Sequence, residues 1–194
     1  LASYHSGSVD TLFACTDSGV FDVTSAGAAG SALHPLSSGR CSYINFSTAA
    51  GAFLYLVNGV DKPALYNGTS WTALDETSTP ALTGIPSTEL CYIHAFNKRI
   101  WFLRENSLSA YYLEAGAVGG ALTEFPLGQE FSKGGRLVAL YTWTIDGGNG
   151  PNDYLVFITS EGEVALYKGT NPNDAADFSK VGTFYVAAPL GDRC

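Results

Sequence analysis

The fold of this chain is decided by a segment of the form strand, turn, strand, which reads Ile100-Trp101-Phe102-Leu103-Arg104-Glu105-Asn106-Ser107-Leu108-Ser109-Ala110-Tyr111-Tyr112. Its first four residues are large and apolar, and such residues are enriched in β-strands. The polar residues at 104–107 interrupt the apolar pattern, as expected of a tight turn. Because an aromatic-rich second strand follows, the segment predicts an antiparallel β-hairpin.

Hairpins of this kind recur along the chain, near residues 11–23, 53–66, 99–113 and 154–170. Their first strands begin at Leu12, Leu54, Ile100 and Leu155, at intervals of 42, 46 and 55 residues. Repeats of about 40 to 50 residues are typical of the four-stranded blades of a β-propeller. The spacing therefore predicts an all-β fold in which residues 1–194 form a single β-propeller segment. We expect about four blades of a larger propeller, truncated at both ends.

The segments between the hairpins supply further strands and some turn-rich stretches. Strand-like patterns occur at residues 41–46, 90–96, 136–144 and 181–186. Residues 75–86, rich in Thr, Ser, Pro and Gly, predict a surface loop. The Gly and Pro content of Asp146–Asp153 predicts no regular structure. Residues 115–125 are compatible with at most one helical turn.

Composition and charge limit the classes of function. Acidic residues outnumber basic ones by 18 to 10, which gives a net charge of −8. A chain of this charge repels a phosphate backbone, which argues against ordinary nucleic-acid binding. The charge is explained by solubility or by a surface past which DNA slides without sticking. The sequence has no apolar run near 18 residues, so we expect no membrane-spanning helix.

The four cysteines do not form a recognisable motif. They stand at Cys15, Cys41, Cys91 and Cys194, without the close spacing of a metal site or a redox pair. The neighbouring apolar residues predict buried thiols. Disulfide bonds are the alternative, with three possible pairings.

Candidate catalytic and metal-binding residues are scattered. His5, His34 and His94 have no second metal ligand at short spacing, which predicts structural or surface roles. The sequence contains no Gly-x-Ser-x-Gly motif. We therefore predict that the chain is not an enzyme, with no catalytic residue, cofactor or metal site. The oxygen-rich segment Asp146–Asp153 could hold a cation, but turn capping by its Asp and Asn side chains explains it better. Residues 171–177 predict a short helical turn or a surface loop.

Carbohydrate chemistry is the other class to consider, because β-propellers include sialidases. Their repeated turn has the form Ser-x-Asp-x-Gly before a Thr-Trp pair, and Asn67-Gly68-Thr69-Ser70-Trp71 lacks the required Asp. A glycan could also bind exposed aromatic side chains. Most aromatics here alternate with polar residues within the hairpins, a pattern that predicts core packing.

Several segments resemble virion proteins of tailed phages, in particular the tail nozzle or packaged-DNA stabilisation proteins of short-tailed phages. The resemblance covers most of the chain from about Leu12 onward. It rests on the segments Leu56–Trp71, Phe96–Phe102, Asp146–Asp153, Val156–Pro172, Val181-Gly182 and Ala188–Gly191.

The resemblance implies a structural β-propeller subunit in the phage tail or neck of the virion. Such subunits form a homo-oligomeric ring below the portal and adaptor, near the tail fibres. Genomic DNA passes through this ring during ejection without specific binding, and no catalytic residue is implied. This chain is shorter than the nozzle proteins it resembles. The alternative function is a secreted or surface β-propeller that binds a glycan.

Overall fold

The computed structural model describes residues 1–7, 9–146 and 151–191 of an all-β protein, which confirms the all-β class predicted from the sequence. A short 3-10 helix at Ser87–Glu89 is the one helix among the described residues. The strands in chain order are β1 (Ala2–Ser6), β2 (Val9–Thr16), β3 (Gly19–Asp22), β4 (Ser42–Thr48), β5 (Gly51–Val57), β6 (Ala64–Tyr66), β7 (Trp71–Ala73), β8 (Leu82–Thr83), β9 (Leu90–Phe96), β10 (Arg99–Arg104), β11 (Ser109–Tyr112), β12 (Gly120–Ala121), β13 (Thr123–Pro126), β14 (Leu137–Asp146), β15 (Pro151–Thr159), β16 (Glu163–Lys168) and β17 (Ser179–Tyr185).

Four antiparallel sheets follow one another along the chain. The first contains β1, β2 and β3, and an isolated bridge between Val20 and His34 extends its outer edge. The second contains β4 to β7, the third β9, β10, β11 and β13, and the fourth β14 to β17. Each strand is hydrogen-bonded to the strand that follows it in its sheet. Strands β8 and β12 form a small parallel pair. Strand β8 precedes the third sheet in the chain, and β12 lies in the connection between β11 and β13.

An antiparallel strand pair lies at each of the four hairpin positions expected from the sequence. These pairs are β2–β3, β5–β6, β10–β11 and β15–β16. The turn before β16 requires a glycine, because Gly162 has φ +80° and a Cβ there would clash with the carbonyl oxygen of Val186. Asn97 and Lys98, with φ of 46° and 63°, form the turn between β9 and β10. Two positive φ values are typical of a tight hairpin turn.

The core lies between consecutive sheets, in three apolar clusters. One cluster fills each of the three spaces between the first and second, second and third, and third and fourth sheets. Strand β10 contributes side chains to two of these clusters, since Ile100 and Phe102 face the second sheet while Trp101 and Leu103 face the fourth. A strand covered on both faces has a continuous apolar sequence rather than an alternating one.

The first strands of the sheets lie next to each other. Strand β4 contacts both β1 and β9, and β9 also contacts β14. The four sheets are therefore stacked in chain order, and no sheet closes on itself within the described part of the chain.

One local prediction was wrong, and two segments contain short strands that were not expected. Residues 75–86 are a loop, as predicted, except for strand β8, whose Leu82 is buried because that strand pairs with β12. Residues 115–125, for which at most one helical turn was expected, hold no helical turn and contain β12 and the start of β13. In the segment Asp146–Asp153, both ends are regular strand, since Asp146 pairs with Pro151. Proline is tolerated there because it is the first residue of its strand.

Candidate functional site

The three histidines lie far apart and have different partners. The His5 ring is 2.6 Å from the Asp10 carboxylate on the exposed end of the first sheet. His34 is buried at the bridge to β3, and burial lowers its pKa. In the described ranges 1–7, 9–146 and 151–191, no group of three or more His, Cys, Asp or Glu side chains could hold a metal ion.

One of the two oxygen-rich segments closes its own turn in the described residues. Residues 147–150 of the other, Asp146–Asp153, lie outside the described residues, so the choice there between a bound cation and turn capping is not tested. The Asp177 carboxylate accepts hydrogen bonds from the Thr170 hydroxyl and the backbone N–H groups of Thr170 and Asn171, which lower its pKa. Residues 171–177 form a surface turn, as one of the two sequence interpretations expected.

The segment at Asn67–Trp71 is also a self-contained turn. The Asn67 side-chain oxygen accepts hydrogen bonds from the N–H groups of Thr69 and Ser70, both at 2.9 Å. Its Trp71 packs into the aromatic group around Phe13 and Tyr66 rather than projecting into solvent. The turn therefore serves the interface between the first and second sheets.

A polar groove lies in the connection between the second and third sheets. It is lined by Lys62, Asp75 and Glu76 on one side and by residues 82–88 on the other. The Lys62 ammonium is 2.6 Å from the Asp75 carboxylate and, together with hydrogen bonds from Thr77, holds the Asp75 pKa far below its usual value. The Lys62 and Asp75 charges therefore pair with each other at one side of the groove.

The feature that distinguishes the surface is the outer face of the fourth sheet. Leu155, Phe157 and Tyr167 point toward the third sheet and belong to the core. The strand register places Tyr141, Val156 and Leu166 in one row on the opposite side of the strands and Trp143 beside Tyr154 in the next. Of these, the Tyr141 ring turns back to the third sheet, where it packs edge-on against the Tyr92 ring and lies 6.3 Å from the His94 ring. A further row joins Val164 to Phe184. This surface, the fourth-sheet outer face, is apolar across all four strands.

The centre and rim of the fourth-sheet outer face differ in exposure. Val156 and Leu166 at its centre are buried, although neither belongs to a cluster between sheets. Trp143 and Phe184 at its rim are 51% and 54% exposed. Large aromatic side chains grouped on one exposed face are typical of surfaces that contact another macromolecule.

The hairpin of β14 and β15 extends beyond the rest of the fourth sheet. Strand β16 stops pairing with β15 at Leu155, whereas β14 and β15 continue to the pair Asp146 and Pro151. Trp143 and Ile145 are exposed on this extension. A two-stranded ribbon alone is marginally stable in water, so contact with a partner would stabilise it.

The outer face of the first sheet also carries apolar side chains, but these are less exposed than Trp143 and Phe184. Phe13, Cys15 and Val20 point toward the second sheet, so Leu12, Ala14 and Phe21 alternate to the opposite face and are half-buried. The two ends of the stack of sheets therefore both present apolar side chains.

The sequence interpretation assigned most aromatic residues to the core and did not identify the fourth-sheet outer face. One signal was present, because Leu155-Val156-Phe157-Ile158 is a continuous apolar run. A run of this kind indicates a strand with two apolar faces, but it does not say whether both are covered.

No protein family matches this chain, and no curated protein sequence matches it either. Within the described residues, the structure contains no helix with the length and apolar character needed to cross a membrane.

Proposed function

We propose that this chain is a structural component of a bacteriophage tail or neck, a nozzle-like subunit of a ring around the DNA exit channel that acts through protein–protein contacts. The observation that carries the contact role is the fourth-sheet outer face. Trp143 and Phe184 expose about half of their surface there, around an apolar centre. Burying such a face against a partner gains about 25 cal/mol for each Å² of apolar surface removed from water.

The proposal includes a β-propeller arrangement of the four sheets. Each is an antiparallel meander in chain order, and consecutive sheets touch through their first strands, as blades do around a propeller axis. The three apolar clusters occupy the spaces where blades would stack. In this arrangement, the outer faces of the first and fourth sheets are the surfaces on which neighbouring sheets would pack.

The partner proposed for the fourth-sheet outer face is a second copy of the chain. Its first sheet presents Leu12, Ala14 and Phe21 on a face that differs from the fourth-sheet outer face. Contact between two different faces is heterologous, and heterologous contacts form a ring when the rotation between copies closes. This is the symmetry that a subunit of a conduit requires.

The oligomeric state of the purified chain tests this contact. We expect a ring by light scattering after size exclusion and by negative-stain electron microscopy. The variants Trp143→Ser and Phe184→Ser should shift the population toward the monomer by tenfold or more, since each removes a large apolar contact worth more than about 1.4 kcal/mol.

The control for this experiment is Val60→Ser. Val60 is 57% exposed in the turn between β5 and β6, away from either outer face. Its replacement should leave the ring unchanged. A wild-type chain that stays monomeric at high micromolar concentration, or a ring that V60S weakens as much as W143S does, would contradict the proposal.

The phage assignment has tests of its own. We expect the gene to lie beside genes for portal and capsid proteins, and the protein to co-purify with virions and contact the adaptor, portal or tail fibres. A gene neighbourhood without any virion protein, together with absence from purified particles, would reject this part of the proposal and leave the contact surface in place.

A glycan-binding surface protein is the second candidate, and one observation favours it. The Trp143 ring is half exposed beside Tyr154, as in surfaces that stack against sugar rings. Under this alternative the chain is monomeric and is retained on a glycan array, and Trp143→Ser abolishes retention without changing the mass in solution.

A further inference from the structure

Two cysteines from separate parts of the sequence meet at the first sheet. Cys15 lies on β2, and Cys41 directly precedes β4. Both are half-buried and pack against the same apolar cluster between the first and second sheets. Cys91 lies in a different cluster, between the third and fourth sheets, where its thiol donates to the Leu103 carbonyl.

The approach of Cys41 to Cys15 is imposed by the backbone before it. Gly39 lies so close to β2 that a Cβ there would be 2.8 Å from the Cys15 carbonyl oxygen. The Gly39 N–H donates to the Asp17 carboxylate at 2.8 Å, at the turn that follows Cys15. This contact holds the chain two residues before Cys41 against the first sheet.

A second set of hydrogen bonds holds the same segment from the other side. The Asn58 amide donates to the Ser38 carbonyl oxygen at 2.9 Å, and the Asp61 carboxylate accepts from the Ser37 N–H at 2.7 Å. The segment is therefore clamped between the first and second sheets. The two thiols are positioned by this clamp rather than by chance contact of mobile side chains.

The clamp places the two thiols on the same side of the segment. The Cys41 thiol donates to the Ser38 carbonyl oxygen at 3.7 Å, and its single S–H can turn from that oxygen to the Cys15 sulfur. Interaction with the Cys41 side chain lowers the Cys15 pKa and outweighs burial, which acts in the opposite direction. A lowered pKa increases the thiolate fraction, and the thiolate is the form that attacks a disulfide.

We propose that Cys15 and Cys41 form a redox-active pair that is converted to an intramolecular disulfide by exchange with a low-molecular-weight disulfide such as oxidised glutathione. The Cys15 thiolate attacks one sulfur of that disulfide, and one glutathione leaves as thiolate. The Cys41 sulfur, after losing its proton to solvent, then displaces the second glutathione. Two protein thiols are oxidised to one disulfide, and one glutathione disulfide is reduced to two thiols.

The disulfide would stabilise the folded chain by closing a loop that contains one exposed segment. Residues 24–33 lie within the 27-residue loop from Cys15 to Cys41 and are exposed throughout. Closing a loop of this size removes conformational freedom mainly from the unfolded chain. Oxidation should therefore raise the melting temperature by roughly 5–10 °C.

The test is peptide mapping of the full chain after equilibration with oxidised glutathione at neutral pH. Remaining thiols are alkylated in denaturant, and trypsin with chymotrypsin separates the cysteines. The expected result is a peptide pair linked through Cys15 and Cys41, with Cys91 alkylated, and reversal by dithiothreitol. Alkylation of both Cys15 and Cys41, or pairing of either with Cys91 or Cys194, would overturn the proposal.

Two variants give the matched control. Cys15→Ser and Cys41→Ser should each lose the internal disulfide and the rise in melting temperature, and the remaining cysteine should carry one glutathione. If circular dichroism shows that either variant does not fold, the peptide map of the wild-type chain is sufficient by itself to support or overturn the proposal.

Discussion

At the scale of single residues, two buried tyrosines differ in what their hydroxyl groups contact. The Tyr55 side chain is fully buried, and its hydroxyl has no hydrogen-bond partner among the described residues. The Tyr112 hydroxyl donates to the Asn173 side-chain oxygen at 2.5 Å. A buried polar group without a partner is destabilising, whereas a satisfied one contributes about 1 kcal/mol.

The two Tyr→Phe substitutions should therefore have opposite effects. We expect Tyr55→Phe to leave the free energy of unfolding unchanged or raise it by about 1 kcal/mol, and Tyr112→Phe to lower it by about 1 kcal/mol. Urea denaturation followed by fluorescence measures both. Equal losses in the two variants would show that the Tyr55 hydroxyl is hydrogen-bonded in solution.

The His94 side chain makes stability depend on pH. Its ring nitrogen lies 2.8 Å from the Thr142 hydroxyl oxygen, which joins β9 to β14, and burial lowers its pKa below the usual 6.5. The unfolded chain therefore binds a proton more readily than the folded chain. The stability that the neutral His94 ring contributes is fully present above about pH 6.5 and is lost as pH falls through the lowered pKa.

His94→Gln should make the free energy of unfolding depend less on pH between pH 7 and pH 5, as measured by urea denaturation at each pH. A slope equal to that of the wild type would assign the pH dependence to other groups.

At the scale of elements, the stacking of sheets depends on strands with two apolar faces. Trp101 of β10 is fully buried and packs against Phe157 and Phe178 from the fourth sheet. Trp101→Ala should lower the free energy of unfolding by about 3–5 kcal/mol, because it leaves a large cavity between two sheets. Its matched control is Trp143→Ala, on the exposed extension of β14, which should change the value by no more than about 0.5 kcal/mol in the monomer. Similar losses would mean that the extension is part of the folding core.

At the scale of the whole molecule, the acidic balance constrains any contact with DNA. The chain carries a net charge of −8. Each Lys or Arg contact to a phosphate would slow the passage of DNA through a channel. We expect no shift of duplex DNA in gels at about 0.15 M salt, and an excess of acidic residues on the channel-facing surface of the ring. Tight binding at that salt concentration, or a continuous basic lumen in a map of the ring, would contradict this expectation.

The sequence by itself determined the all-β class and the positions of the hairpins. Both follow from local chemistry, because runs such as Ile100–Leu103 favour strands and the polar residues after them favour turns. The sequence could not identify β8 and β12. Each is two residues long and contains no distinctive pattern, and the pairing of Leu82 with Gly120 joins segments far apart in the chain.

The tertiary structure decided which apolar residues are buried and which cysteines meet. Trp101 and Trp143 both stand in aromatic-rich strands, yet one is enclosed by two sheets and the other is half exposed. The third sheet has a neighbouring sheet on each face, whereas in the described part of the chain the fourth sheet has one on a single face. Cys15 and Cys41 are brought together by the clamp around Gly39, a contact between segments separated by the exposed residues 24–33. Local pattern determines the conformation of a strand, but burial and contact depend on what the rest of the chain places against it.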